Sequence, residues 1–124
     1  MRRPSHAEVL GKITRARGKV AAKNWLAADI GKLLPEFHDL DCWTLEEQTE
    51  ALAAALGEVG PEHYAGSRPP QRSYERACKG AELFAFVWES AHLGRRMYLK
   101  ICFVKETLYI VSFHLAKFEK EPEP

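Results

Sequence analysis

The strongest constraint on this chain is a change of pattern near residue 83. Leu83–Glu89 (LFAFVWE), Arg96–Val104 (RMYLKICFV) and Leu108–Leu115 (LYIVSFHL) follow one another with short connections. Each is rich in aromatic and β-branched residues and too short for the helix it would otherwise form, so the three read as an antiparallel meander. Upstream the pattern is helical. Ser5 and Glu8 have capping-box spacing, and Val9, Leu10 and Ile13 share a face, which predicts a helix stopping near Gly18. Asn24–Leu34 reads as a second helix that ends before Pro35. Thr44 and Glu47 repeat the capping box, and Leu45, Gln48, Leu52 and Leu56 recur at helical spacing as far as Gly57. Helices followed by strands predict an α+β domain, N-terminal helices packed on a C-terminal antiparallel sheet.

With 124 residues, 46% of them apolar, the chain suits one domain, read here as residues 1–118, with the tail 119–124 (EKEPEP) too polar to fold. The formal net charge of +1 hides a segregation. Residues 1–23 hold seven bases against Glu8, and residues 24–62 hold nine acids against Lys32. Residues 63–105 return to eight bases against three acids. No apolar run reaches the ~20 residues of a membrane span, and Met-Arg-Arg-Pro is not followed by a signal-peptide core, so a soluble, cytoplasmic protein is expected. Cys42, Cys78 and Cys102 are widely spaced, without a CxxC or a nearby histidine pair, and read as reduced thiols; no metal site and no cofactor are expected. The absence of a P-loop, GxGxxG, HExxH or nucleophile elbow removes the commonest nucleotide-dependent and hydrolytic classes.

The last hairpin has a register problem. A two-residue turn would set Val104 opposite Thr107 and mix polar and apolar side chains on both faces. A three-residue loop, Lys105-Glu106-Thr107, instead pairs Val104 with Leu108, Cys102 with Ile110, Lys100 with Ser112 and Tyr98 with His114, and sets Leu99, Ile101, Phe103, Phe113, Val111 and Tyr109 on the core face. Tyr98, Lys100, Ser112 and His114 then form one patch.

A phenol, an ammonium, a hydroxyl and an imidazole, with Arg95 and Arg96 at the strand entrance, are parts suited to cleaving an RNA phosphodiester. RNA supplies its own 2′-hydroxyl nucleophile, so the protein has only to move two protons and stabilise phosphorane charge. Imidazole, with an unperturbed pKa of about 6.5, can move either proton, and cations supply the charge. The same four side chains are also common on the solvated face of a sheet. His63 and Arg68 lie in the long Pro/Gly-rich segment 60–71 (GPEHYAGSRPPQ), where a catalytic or phosphate-binding role is open to them.

Met97-Tyr98-Leu99-Lys100-Ile101 followed by Ile110-Val111-Ser112-Phe113 resembles the YLKI and IVSF strands of the MqsR family of bacterial type II toxins. Gly18-Lys19-Val20, then Asp29 and Leu33, look like that family's early G-x-V segment. The resemblance implies a RelE-like α+β fold, cleavage of mRNA without the ribosome, and neutralisation by a cognate antitoxin protein. It places Tyr98 at the proposed catalytic tyrosine and His114 where the family has a lysine. Ala85 stands where the family has a functional glutamine, and Ala65 near a functional lysine; His63 and Arg68 are the candidates to replace them. The expectation is therefore a metal-independent endoribonuclease with Tyr98, His114, His63 and Arg68 as catalytic candidates and Lys100, Arg95, Arg96 and Ser112 as RNA contacts. The alternatives are a non-catalytic RNA-binding module and a protein-interaction domain docking through the acidic third helix. If the basic N-terminal helix flanks the patch, the charge segregation becomes an RNA-facing pole.

Overall fold

Both capping boxes form. In the computed structural model, which describes residues 5–66 and 71–116, Ser5 and Glu8 exchange side-chain and backbone hydrogen bonds at the start of α1 (His6–Ala21), as do Thr44 and Glu47 at the start of α3 (Leu45–Glu58). Between them lie β1 (Trp25–Ala27) and α2 (Ile30–Asp39), capped by the Asp29 carboxylate accepting from the Gly31 amide at 3.1 Å. The strands β2 (Phe84–Ser90), β3 (Arg95–Val104) and β4 (Thr107–Leu115) complete an α+β arrangement of helices followed by a sheet. The tail 119–124 lies outside the described residues.

Residues 24–34 are not one helix. Trp25–Ala27 lies parallel to β4 as an edge strand, so the sheet, ordered β1-β4-β3-β2, is mixed rather than wholly antiparallel. The helix begins at Ile30 and carries Pro35 within its second turn, where the missing N–H forfeits one intrahelical bond. Buried Leu33 and Phe37 on either side of that proline anchor the helix to the core.

Helix α1 passes Gly18 and runs to Ala21. It closes with Lys23 N–H on the Val20 carbonyl and Asn24 N–H on the Lys19 carbonyl, a Schellman pair with Lys23 at φ +58°. Helix α2 ends the same way, Asp41 at φ +62° donating to His38 and Cys42 to Phe37. Both sites that usually take glycine hold other residues, which is why neither end is visible in sequence.

The β3–β4 turn has two residues, Lys105 and Glu106, with Val104 opposite Thr107. The one-residue offset that a three-residue loop would have supplied comes instead from Val111. Ile101 faces Ile110 and Lys100 faces Ser112, so β4 carries a bulge there, and Tyr98 still meets His114. The bulge changes which side chains are core. Leu108, Ile110 and Phe113 join Met97, Leu99 and Ile101, all fully buried, while Tyr109 and Val111 lie on the other face. A three-residue loop would have put the Tyr109 hydroxyl in the dry layer under the helices; the bulge keeps it out. Beyond Ile110 β4 has no strand on its β1 side among the described residues, and Glu36 of α2 covers that edge by accepting from the Phe113 amide at 2.8 Å.

All three helices seat on the Leu99 face through Val9, Ile13, Leu33, Phe37, Leu52 and Leu56. Helix α1 therefore lies across the sheet from the Tyr98 patch, and its cations do not form the expected pole. Arg15 and Lys19 reach Glu106 at 3.6 and 3.8 Å, Arg15 also packs over the Phe103 ring, and Arg17 donates to the Leu56 and Val59 carbonyls.

Candidate functional site

Residues of β3 alternate between the two faces of the sheet. Met97, Leu99 and Ile101 point to the helices, so Arg96, Tyr98, Lys100 and Cys102 point away. That outer face is divided. One half is roofed by residues 71–82, which include a 3₁₀ turn, Arg76–Cys78, and bury Cys78, Leu83, Cys102 and Val111 against Ala28. The strap is tied by Ser73, whose hydroxyl accepts the Glu75 amide at 3.0 Å and touches Cys78 Sγ at 3.3 Å, and by the Lys32–Glu75 ion pair at 3.8 Å. Burial, then neighbouring Cys78 and Glu75, push the Cys102 thiol far above the ordinary range, so it is an inert core group.

The uncovered half carries the candidate site. Tyr98 and His114 face each other across β3 and β4 with rings stacked, centroids 5.0 Å apart and planes 20° from parallel. Lys100 Nζ sits 5.7 Å from the Tyr98 ring centroid, a cation over a π face. All three side chains are half-buried, held by neighbours yet open to solvent. His114 Nδ1 lies 2.7 Å from the Leu115 carbonyl oxygen. A carbonyl only accepts, so Nδ1 carries the hydrogen, and in the neutral ring Nε2 presents its lone pair.

The other expected residues divide. Ser112 shares the register with Lys100 but is only 3% exposed, so it floors the patch rather than contacting a large ligand. Arg95, one residue before Arg96 in a strand, points to the opposite face and is not part of the patch. Arg96 is on the correct face, but its guanidinium is paired with Glu89 at 3.2 Å, which offsets its charge. That pair has a sequence signal, since the two residues oppose each other once β2 and β3 are placed in register. His63 lies in a 3₁₀ turn, Pro61–His63, where Nδ1 accepts the Gly60 amide at 3.0 Å and Glu62 is 3.9 Å away. Its bonds close that turn and do not bring it to Tyr98 or His114. Arg68 lies outside the described residues.

Ala65 and Ala85 adjoin. The Ala65 amide donates to the Ala85 carbonyl at 2.8 Å, and Ala85 is the β2 partner of Lys100. The two positions at which the resemblance implies functional side chains thus form one spot beside Lys100, occupied by methyl groups. No signal in the sequence marks the Leu115 carbonyl that sets the His114 tautomer, or Glu36 beneath Phe113; both are contacts of irregular β4 backbone that no side-chain pattern reports.

Among the described residues no helix is long and apolar enough to cross a membrane. The chain matches no known protein-family profile, no curated protein and no solved structure.

Proposed function

We propose that the protein is a metal-independent endoribonuclease acting on mRNA, the toxin of a type II toxin–antitoxin pair in a bacterial cytoplasm. One observation carries the reading: a stacked Tyr98–His114 pair whose imidazole has Nδ1 committed to a carbonyl and Nε2 left for proton transfer, beside Lys100. In this chemistry His114 Nε2 accepts the 2′-hydroxyl proton as the 2′-oxygen attacks phosphorus. The Tyr98 phenol gives its proton to the departing 5′-oxygen, and Lys100 offsets charge on the phosphorane. The products are a 2′,3′-cyclic phosphate and a 5′-hydroxyl. The nucleophile belongs to the substrate, so the steps require no metal. The YLKI and IVSF likeness supports the toxin assignment and, with it, an antitoxin partner.

The adjoining alanines at 65 and 85 favour a second reading, an RNA-binding module that keeps the stacking pair and Lys100 without turnover. End-labelled RNA incubated with the protein in EDTA separates the two. Cleavage that falls about 100-fold or more in His114→Ala and Tyr98→Phe, with unchanged thermal unfolding, supports the nuclease. A salt-sensitive mobility shift without products supports the binding module. Full cleavage by His114→Ala removes that residue from the mechanism.

A further inference from the structure

The α2–α3 corner, on the helix side of the sheet, exposes two large apolar side chains. Trp43 and Leu45 flank the N-cap Thr44 and are 60% and 68% exposed. Trp43 occupies the position before the cap, where an apolar residue normally folds back onto the first turn of the helix. Here the facing position is Gln48, buried and donating to the Cys42 carbonyl at 3.4 Å, and the indole is turned outward instead. It is nevertheless held firmly. Its ring stacks on His38 at 4.1 Å with planes 18° apart, its Nε1 donates to Asp41 Oδ1 at 2.7 Å, and its amide donates to Glu47 Oε1 at 2.8 Å. An exposed aromatic side chain whose freedom is already restrained loses little entropy on contact, which is the character of an interface anchor.

The surroundings define the partner's chemistry. From Leu33 to Glu62 the chain contains no lysine or arginine and eight carboxylates. Glu36 and Glu58 are consumed by the fold, on the Phe113 amide and on the Trp88–His92 hairpin. Asp39, Glu46 and Glu50 are exposed, and none of them pairs with a cation among the described residues. Arg15, Arg17 and Lys19 of α1 are engaged within the fold, on Glu106 and on the Leu56 and Val59 carbonyls. The carboxylates repel RNA, and a small cation would have no use for the indole and Leu45.

We propose that this corner docks a segment of a partner protein in which lysines or arginines flank an apolar or aromatic residue, the cations meeting Asp39, Glu46 and Glu50 while the apolar side chain packs on Trp43 and Leu45. The surface lies across the sheet from Tyr98 and His114, so the inference does not depend on the RNA reading.

Three synthetic peptides of about 12 residues test it against the ¹⁵N-labelled full chain: Lys/Arg around a Leu-Phe pair, the same cations around Ser-Ser, and Asp/Glu around Leu-Phe. The first is expected to shift the Trp43 indole N–H and the Leu45 and Glu46 amides, and to bind about tenfold or more tightly than the other two. Trp43→Ala, and separately the double exchange Glu46→Lys with Glu50→Lys, are each expected to lose that advantage. If Trp43→Ala unfolds, the double exchange of two exposed side chains decides alone. Equal binding of the three peptides, shifts confined to another surface, wild-type affinity in the double variant, or a Trp43 signal that moves with protein concentration alone would each overturn the proposal. RNA cleavage or binding by Trp43→Ala, which changes no charge and lies across the sheet from the patch, is expected to match wild type, so failure here is read separately from failure of the nuclease reading.

Discussion

Glu58, the last residue of α3, gathers the hairpin between β2 and β3. Its Oε1 accepts the Trp88 indole N–H at 2.9 Å and the Ser90 hydroxyl at 2.7 Å, and its Oε2 accepts the His92 amide at 2.9 Å. Burial alone raises its pKa, but the bonds from Trp88, His92, Ser90 and the Ala91 backbone outweigh burial and hold the carboxyl below its ordinary value. Glu58→Gln keeps the shape. It replaces one acceptor oxygen with an amide group that cannot accept from His92, and turns two charge-assisted bonds into neutral ones. Bonds to a charged group contribute about 1.5–3 kcal/mol and neutral ones about 0.5–1.5 kcal/mol, so one lost and two weakened bonds amount to about 4 kcal/mol in a dry site. Glu58 is half-buried, and solvent screening reduces this to about 2 kcal/mol, or about 8 °C in melting temperature.

The pH dependence gives the same idea a sharper check. A carboxyl with a depressed folded pKa contributes stability that is present above the unfolded value, about 4.3, and is lost as pH falls through the folded value. Protonated Glu58 is nearly isosteric with Gln. Urea unfolding should therefore show the full gap between wild type and Glu58→Gln at about pH 7, shrinking as pH falls below the unfolded value and through the folded one. An unchanged gap at low pH would mean that the charge on Glu58 does not hold the hairpin.

Lys23→Gly should raise stability by about 1 kcal/mol in a urea titration, because Lys23 holds φ +58° in the Schellman turn of α1, where a Cβ is strained. Leu99→Ala, in a central strand and fully buried, should cost about 3–4 kcal/mol in the same assay. Lys100→Ala should leave the unfolding midpoint nearly unchanged. In filter binding to single-stranded RNA it should reduce the slope of log K against log salt by about 0.7, the loss of one phosphate contact.

How much of this fold is legible in sequence depends on which groups do the signalling. Side-chain caps are legible: Ser5 with Glu8 and Thr44 with Glu47 mark two helix starts to the residue. Backbone-only devices are not. Lys23 and Asp41 take the left-handed positions that a glycine would have announced, while Gly18 and Gly57 lie inside helices. The three-residue strand at Trp25 is too short to show periodicity, and its neighbour β4 is more than 80 residues further on. The two final strands were readable because both faces are chemically distinct, yet Leu108/Ile110 and Tyr109/Val111 are almost equally apolar, so pattern could not say whether the extra residue sits in the turn or in the strand. The Tyr98–His114 and Lys100–Ser112 pairs survive either choice, since each supplies the same single-residue offset.

The charge segregation takes on a different meaning once the faces are known. Of the N-terminal basic block, Arg15, Arg17 and Lys19 are consumed on Glu106 and on α3 carbonyls, and Lys12 lies 5.5 and 5.6 Å from the Phe84 and Phe103 ring centroids on the helix side. On the patch itself the Arg96 charge is offset by Glu89, and Lys100 stands over the Tyr98 ring. A ligand held there is gripped by few phosphate contacts and by stacking against a half-buried Tyr–His pair, so its affinity should depend on an accessible base or ribose as much as on salt. At the Trp43 corner the local charge is negative instead, since the exposed Asp39, Glu46 and Glu50 pair with no cation among the described residues. A basic protein partner would be drawn to that corner, the face that RNA avoids.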